Sequence, residues 1–174
     1  QSFVCSIAKS TLELGFQGQV KGVDGFVFSN ICDVARNLGR IYQRNFPEAL
    51  VEYLHLPQNP TSPAVAAYAA AELRRLAESF RERLGLAVTP TALTKSIETY
   101  NALRARFRAL YALRIAEPQK LSTTELYTVL RATTLAPPEE SIGSLDVLLA
   151  GLPQRESRPR DRLRVVLEGV FCGQ

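Results

Sequence analysis

Apolar positions recur along the chain with two different periods, and the change from one to the other marks its elements. Gly25-Phe26-Val27-Phe28 is a short apolar run of β-formers, entered through Asp24-Gly25. Ser29-Asn30 breaks it. Val34, Leu38 and Ile41 then recur at helical spacing until Asn45-Phe46-Pro47 stops that helix. Leu50-Val51-Glu52-Tyr53-Leu54 reads as a second strand, closed by Pro57. A strand, a helix and a strand of these lengths predict a right-handed βαβ crossover with parallel strands. Cys32 then lies just past the carboxyl end of the first strand, and His55 just past that of the second. Open parallel sheets bind ligands along that rim.

The flanking segments are helical. Ile7, Leu12, Leu14 and Phe16 predict a helix that Ser6 can cap, with Cys5 at its amino terminus. Amide N–H groups and the helix dipole favour negative charge on sulfur there. Pro60-Thr61-Ser62-Pro63 signals the start of a long helix through Val65, Tyr68, Leu73, Leu76 and Phe80, ending near Gly85. Thr89-Pro90 opens another, with Leu93, Ile97, Tyr100, Leu103, Phe107 and Leu110 on one face, ended by Glu117-Pro118. Its other face carries Lys95, Glu98, Arg104, Arg106 and Arg108. Ser122 and Glu125 form a capping box for a helix to about Thr133. Pro137-Pro138 and Glu139-Glu140 open the next, which holds Ile142, Leu145, Leu148 and Leu149 and stops at Gly151. Gln154 to Arg162 reads as a polar, basic linker, and Leu163 to Leu167 as a strand with Cys172 in the loop after it.

The expected architecture is α/β. Residues 1–60 form part of a parallel-sheet (Rossmann/flavodoxin-like) domain, residues 61–153 a helical region, and residues 154–174 a linker and the first strand of a second α/β domain. The chain contains no Met, and its last strand starts a unit that stops at Gln174, so we expect a piece of a longer protein cut at both ends. No run of about 18 apolar residues predicts a membrane span. Net charge is +4, a mild excess that suits an anionic ligand such as a nucleotide or coenzyme A. No basic run interleaves with aromatics, which argues against nucleic acid. Three Cys, without secretory context, argue for a reducing compartment over a disulfide scaffold.

Each candidate residue has two readings. Cys5 and Cys32 lack CxxC spacing, and a Cys is commonly just a small apolar residue. Both, however, fall on turns at helix starts, where iron–sulfur ligands often receive backbone N–H bonds. His55 can exchange a proton near neutral pH or can simply be a hydrogen-bonded strand-end residue. Ser29 and Asn30 can donate to a ligand or only shape the strand–helix turn. Arg104-x-Arg106-x-Arg108 is a solvated face or a phosphate site. The apolar helix stripes pack on each other or on a partner. Gly15-x-x-Gly18 lacks the preceding strand that a phosphate loop needs.

Taken together, Cys5-Ser6, Asp24-Gly25-Phe26-Val27-Phe28-Ser29-Asn30-Ile31-Cys32-Asp33 and Arg36-Asn37-Leu38 resemble the 2-hydroxyacyl-CoA dehydratase / benzoyl-CoA reductase family. Arg44-Asn45-Phe46-Pro47, Tyr53-Leu54-His55-Leu56-Pro57-Gln58-Asn59 and Leu167-Glu168-Gly169-Val170-Phe171-Cys172-Gly173-Gln174 look more like the benzoyl-CoA reductase branch. So do Thr89-Pro90 to Leu93, Tyr100-Asn101, Arg104, Leu110-Tyr111 and Leu113-Arg114 in the helical part.

The resemblance implies two similar α/β domains joined by a helical region, and a cytoplasmic enzyme subunit paired with a homologous second catalytic subunit. It implies a [4Fe–4S] cluster held by cysteines, and an ATP-hydrolysing iron–sulfur activator that supplies electrons at very low potential. An acyl-CoA thioester is reduced by single electrons through ketyl-type radicals. One branch then eliminates water from a 2-hydroxyacyl-CoA, and the other reduces an aromatic ring to a cyclic diene. By the same resemblance Cys5 and Cys32 are two cluster ligands. The third comes from the second α/β domain, as Cys172 or a cysteine beyond Gln174. Ser29 and Asn30 lie near the cluster or the thioester, and His55 on the same rim is a candidate catalytic group. A non-catalytic interaction subunit of such a complex is the reading from a different class.

Overall fold

The computed structural model describes residues 4–156 together with Leu163 and Val165. Its elements in order are α1 (Ser6–Phe16), β1 (Gly25–Ser29), α2 (Asp33–Asn45), β2 (Leu50–Leu54), α3 (Val65–Leu84), α4 (Pro90–Ala116), α5 (Thr123–Ala132) and α6 (Pro138–Gly151). Short 3-10 turns follow α4 and α6. The chain divides into two compact units, Gln1–Thr89 and Pro90–Gln174. The linker expected over residues 154–162 lies mostly outside the described residues. So does the strand expected at 163–167, apart from exposed Leu163 and Val165, and so does Cys172.

In the first unit β1 and β2 pair in parallel, with Gly25 opposite Leu50 and Ser29 opposite Leu54. Strand residues alternate between faces, so Phe26, Phe28, Val51 and Tyr53 share one face. Phe26, Phe28 and Val51 pack against a cluster of Ala8 from α1 with Leu38 and Tyr42 from α2. Tyr42 is fully buried, 4.7 Å from the Phe26 ring and 4.9 Å from the Phe46 ring. Its hydroxyl donates to the Thr11 carbonyl at 2.6 Å, which satisfies the polar end of an apolar anchor. Gly39 makes room for Tyr53: a Cβ at Gly39 would stand 2.5 Å from the Tyr53 hydroxyl. That hydroxyl donates to the Arg36 carbonyl at 3.1 Å.

The opposite face is held by polar contacts to α3. Arg75 donates to Glu52 at 2.7 Å and to the Tyr53 carbonyl. Ser79 donates to the other Glu52 oxygen at 2.6 Å. Burial pushes the Glu52 carboxyl up, but the bonds from Ser79 and then Arg75 outweigh it and hold the group below the usual range. These contacts place α3 in the unit of the sheet, although periodicity alone groups it with the later helices. Its carboxyl end is closed by Gly85 in the left-handed conformation.

The second unit is helical. Leu103, Leu110, Leu121, Leu145 and Leu152 form its buried core, with Phe107, Leu113, Leu126, Val129 and Ile142 packed around it. Only the later half of the α4 stripe is covered: Leu93, Ile97 and Tyr100 are about half exposed. Arg106 makes a two-point bridge to Asp146 of α6 at 2.9 and 3.2 Å, and Arg104 donates to Asn101. Arg106 is thus spent on helix packing rather than on a phosphate. The predicted capping box is formed: Glu125 N–H donates to the Ser122 hydroxyl at 3.2 Å, and Ser122 N–H donates to the Glu125 carboxylate at 2.8 Å. Arg114 donates to the Pro118 and Leu121 carbonyls and to the Thr123 hydroxyl, which ties the α4–α5 connection to α4.

Candidate functional site

The parallel ladder fixes the site. Because Ser29 faces Leu54 at its last rung, both strands leave the sheet along one edge, and the next residues, Asn30 and His55, emerge together. The Asn30 amide reaches across this edge. Its Nδ2 donates to the Leu56 carbonyl and its Oδ1 accepts from the Leu56 N–H, each at 3.1 Å. Asn30 thus ties the start of the strand–helix turn to the exit of β2 and commits both polar atoms of its amide to that tie. His55 is half-buried, its ring stacked on Tyr53 at 5.9 Å between centroids and 10° between planes. Its backbone N–H donates to Glu72 of α3 at 3.3 Å.

Cys32 is the N-cap of α2. Its backbone is extended, and its sulfur accepts from the Ala35 N–H at 3.3 Å. Cys5 is the N-cap of α1, in place of the Ser6 that residue preference predicts. Ser6 is already helical, because the Cys5 carbonyl accepts the first helical bond, from Lys9 at 3.2 Å. The cap therefore falls one residue earlier, on the cysteine.

The two helices run in the same direction. Val4 and Val34 lie at one end of their contact, Ala8 and Leu38 follow, the Tyr42 hydroxyl meets Thr11, and Gly15 lies against Phe46 at the other end. Both chains thus advance together through the contact, which brings both amino termini, and so Cys5 and Cys32, to the same end. A cavity of about 290 Å³ lies between α1 and α2, with Val4, Ala8, Val34 and Leu38 among its apolar walls and Lys9 and Asn37 as its polar ones. Both thiols are free and exposed. As donors they suit a thiophilic metal, and backbone N–H groups at both helix starts are available to support the sulfurs. They offer two candidate donor atoms. No group of three or more His, Cys, Asp or Glu side chains gathers among the described residues.

Beside this end a second cavity, of about 360 Å³, opens under the strand exits. Its walls include Asn30, His55, Gln58, Asn59, Ser62 and Tyr68. The sequence pattern places Tyr68 on a packing stripe, Ser62 in a helix-start signal and Asn59 in the family-like segment, and none of them in a site. Asn59 accepts from the Thr61 N–H at 3.1 Å and hydroxyl at 2.8 Å, and Ser62 accepts from the Ala64 N–H at 3.3 Å. The Asn, Ser and Pro content of this loop is the signal for such a turn.

The chain matches the family model described as 2-hydroxyglutaryl-CoA dehydratase, D-component, over residues 1–174. It is 38% identical to a benzoyl-CoA reductase subunit of Thauera aromatica over 174 residues, all of this chain and 45% of that protein. Identity to the (R)-2-hydroxyglutaryl-CoA dehydratase beta subunit of Acidaminococcus fermentans is 26% over 171 residues, 98% of this chain and 45% of that protein. It is 24% identical to the lactoyl-CoA dehydratase beta subunit of Anaerotignum propionicum over 170 residues, again 98% of this chain and 45% of that protein. The chain thus spans a little under half the length of these relatives.

Proposed function

The chain belongs to the 2-hydroxyglutaryl-CoA dehydratase D-component family, and from that premise we propose that it is part of a [4Fe–4S] subunit of a benzoyl-CoA reductase. The observation that carries this reading is the pair of free thiols, Cys5 and Cys32, at the N-cap positions of two helices that start at one end of the unit, with only the Cys32 sulfur bonded to its helix. Cys5 and Cys32 would hold the cluster, with a further ligand from Cys172 or from a cysteine beyond Gln174. When bound, the cluster supplies single electrons of low potential to the carbonyl of an aromatic acyl-CoA thioester.

The chain's own residues prepare the place. Asn30 holds the turn before Cys32 against the exit of β2, and α3 holds that exit through Glu72. The mostly apolar contact between α1 and α2, which Lys9 and Asn37 border, holds the two helix starts together. Ser29 and the cavity beside His55 are the candidate contacts for the thioester, and the imidazole is the candidate proton donor there. The parallel pair would belong to a larger Rossmann/flavodoxin-like sheet. An ATP-hydrolysing iron–sulfur activator would deliver the electrons, and a homologous second subunit would close the site. Free thiols suit a reducing compartment, here the cytoplasm. No helix among the described residues is long and apolar enough to cross a membrane.

The second reading is a 2-hydroxyacyl-CoA dehydratase subunit, favoured by the family description and by the dehydratase relatives. The full-length subunit with its partner, activator and ATP decides between them under anaerobic conditions. Turnover of benzoyl-CoA to a cyclic diene, with no dehydration of 2-hydroxyacyl-CoA esters, is the expected result. Dehydration without ring reduction would reverse the assignment.

A further inference from the structure

Asn30 uses its side chain as a rung of the sheet. The backbone ladder ends at Ser29 against Leu54. Beyond it, the Asn30 amide makes two opposed bonds to the Leu56 backbone, both at 3.1 Å, and so continues the pairing past the strand ends. Cys32 follows two residues later and caps α2 through its sulfur. Ile31 between them is 82% exposed, so no buried side chain anchors this turn. The Leu56 side is firm: the preceding N–H donates to Glu72, which pairs with Arg75, which in turn grips Glu52. A polar chain thus runs from α3 to the turn that presents Cys32.

We propose that Asn30 is a positioning residue, which fixes the place of the Cys32 thiol by binding both its amide atoms to the Leu56 backbone. This rests on the reading of Cys32 as a cluster ligand. Partners that hold a metal ligand from outside commonly change affinity by about 10–100-fold when removed.

The test uses the full-length subunit with its partner, purified anaerobically, and compares Asn30→Leu, Asn30→Asp, Cys32→Ser and Asn45→Leu. Asn45→Leu is the control, since Asn45 also bonds through its amide, to the Ile41 carbonyl at 2.7 Å, but at the far end of α2. Asn30→Leu is expected to release iron to a ferrous chelator about tenfold faster. It should also shift the g-values of the reduced cluster and speed hydrogen exchange over residues 30–36. Asn30→Asp keeps the acceptor for Leu56 N–H and loses the donor, so a smaller change of the same kind is expected. It carries the test if the leucine variant does not fold. Asn45→Leu should keep the original g-values and release rate. Unchanged g-values and iron release in both Asn30 variants would overturn the proposal, as would equal changes in Asn45→Leu. If Cys32→Ser loses iron while the Asn30 variants are silent, the cluster reading stands and this inference alone fails. If Cys32→Ser keeps its iron, both fall.

Discussion

The two units hold themselves together in opposite ways. The second is built on five buried leucines, with polar ties such as the capping box and the Arg114 clamp closing its connections. The first has a smaller apolar cluster around Tyr42, supplemented by side chains bonded to backbone between its elements, Tyr42 to Thr11, Tyr53 to Arg36 and Asn30 to Leu56. The lesson is a division of labour. A leucine core gives stability and places nothing in particular, because apolar attraction is non-directional. Hydrogen bonds with fixed partners place individual groups, as at Asn30, Cys32 and the His55 backbone where the strands end.

The largest expected effect tests the leucine core. Leu110 is fully buried, so Leu110→Ala should lower the stability of the second unit by about 2–5 kcal/mol. Denaturant unfolding of the full-length protein, followed by a probe in each unit, would show whether the loss stays there. A loss under about 1 kcal/mol would mean that the core is loosely packed and that the contrast is overstated.

Gly39→Ala probes the close approach in the first unit. Its Cβ would collide with the Tyr53 hydroxyl at 2.5 Å. Overpacking costs about 1–3 kcal/mol, and the better helix propensity of alanine returns up to ~1. The net is a loss of about 1 kcal/mol. Because the ring carbons Cζ and Cε1 would also lie 2.6 and 2.9 Å from that Cβ, Tyr53→Leu in the same chain should relieve it, whereas Tyr53→Phe should not. Additive losses in the double variant, read by thermal unfolding, would show that the contact does not limit packing there.

Ser122→Ala removes the cap of α5 and should cost about 1 kcal/mol. A melting temperature unchanged by it would show that Arg114 alone suffices to set the α4–α5 connection.

The smallest expected effect is one of pH. The Ser122 backbone N–H, then the Ser122 side chain and the Arg155 guanidinium, hold the Glu125 carboxyl down to about 2, against an ordinary 4.5. A folded-state value lower than the unfolded one means that the charged form stabilises the fold. That contribution is full above 4.5 and is lost as pH falls toward about 2. Glu125→Gln should therefore flatten part of the acid-unfolding curve in that window, and an unchanged curve would remove Glu125 from the explanation.

Much of the first unit is legible in its sequence. The strand Leu50–Leu54, the parallel crossover and the end of α2 at Asn45 follow from β-formers, helical spacing and a proline stop. The Ser6 cap fails because Ser, as a residue type, is a better cap than Cys, whereas the backbone turns at Cys5. Contacts that depend on distant partners leave no local signal. Glu52 meeting Arg75 and Ser79 is of this kind, and it assigns α3 to the sheet. So is Asn30 meeting Leu56: a turn residue is visible in sequence, but its partner 26 residues on is not. The exposed first half of the α4 stripe shows the converse, since periodicity reports an apolar face and not what covers it.

The proposed activity depends first on Cys5 and Cys32 holding a cluster together. Anaerobic iron and sulfide analysis with electron paramagnetic resonance, on the full-length subunit with its partner, tests it in Cys5→Ser and Cys32→Ser. A four-iron signal that is lost in both variants is the expected result. An unchanged iron count in both would rule this out, and would leave the chain as an interaction module whose cysteines are ordinary residues at helix starts.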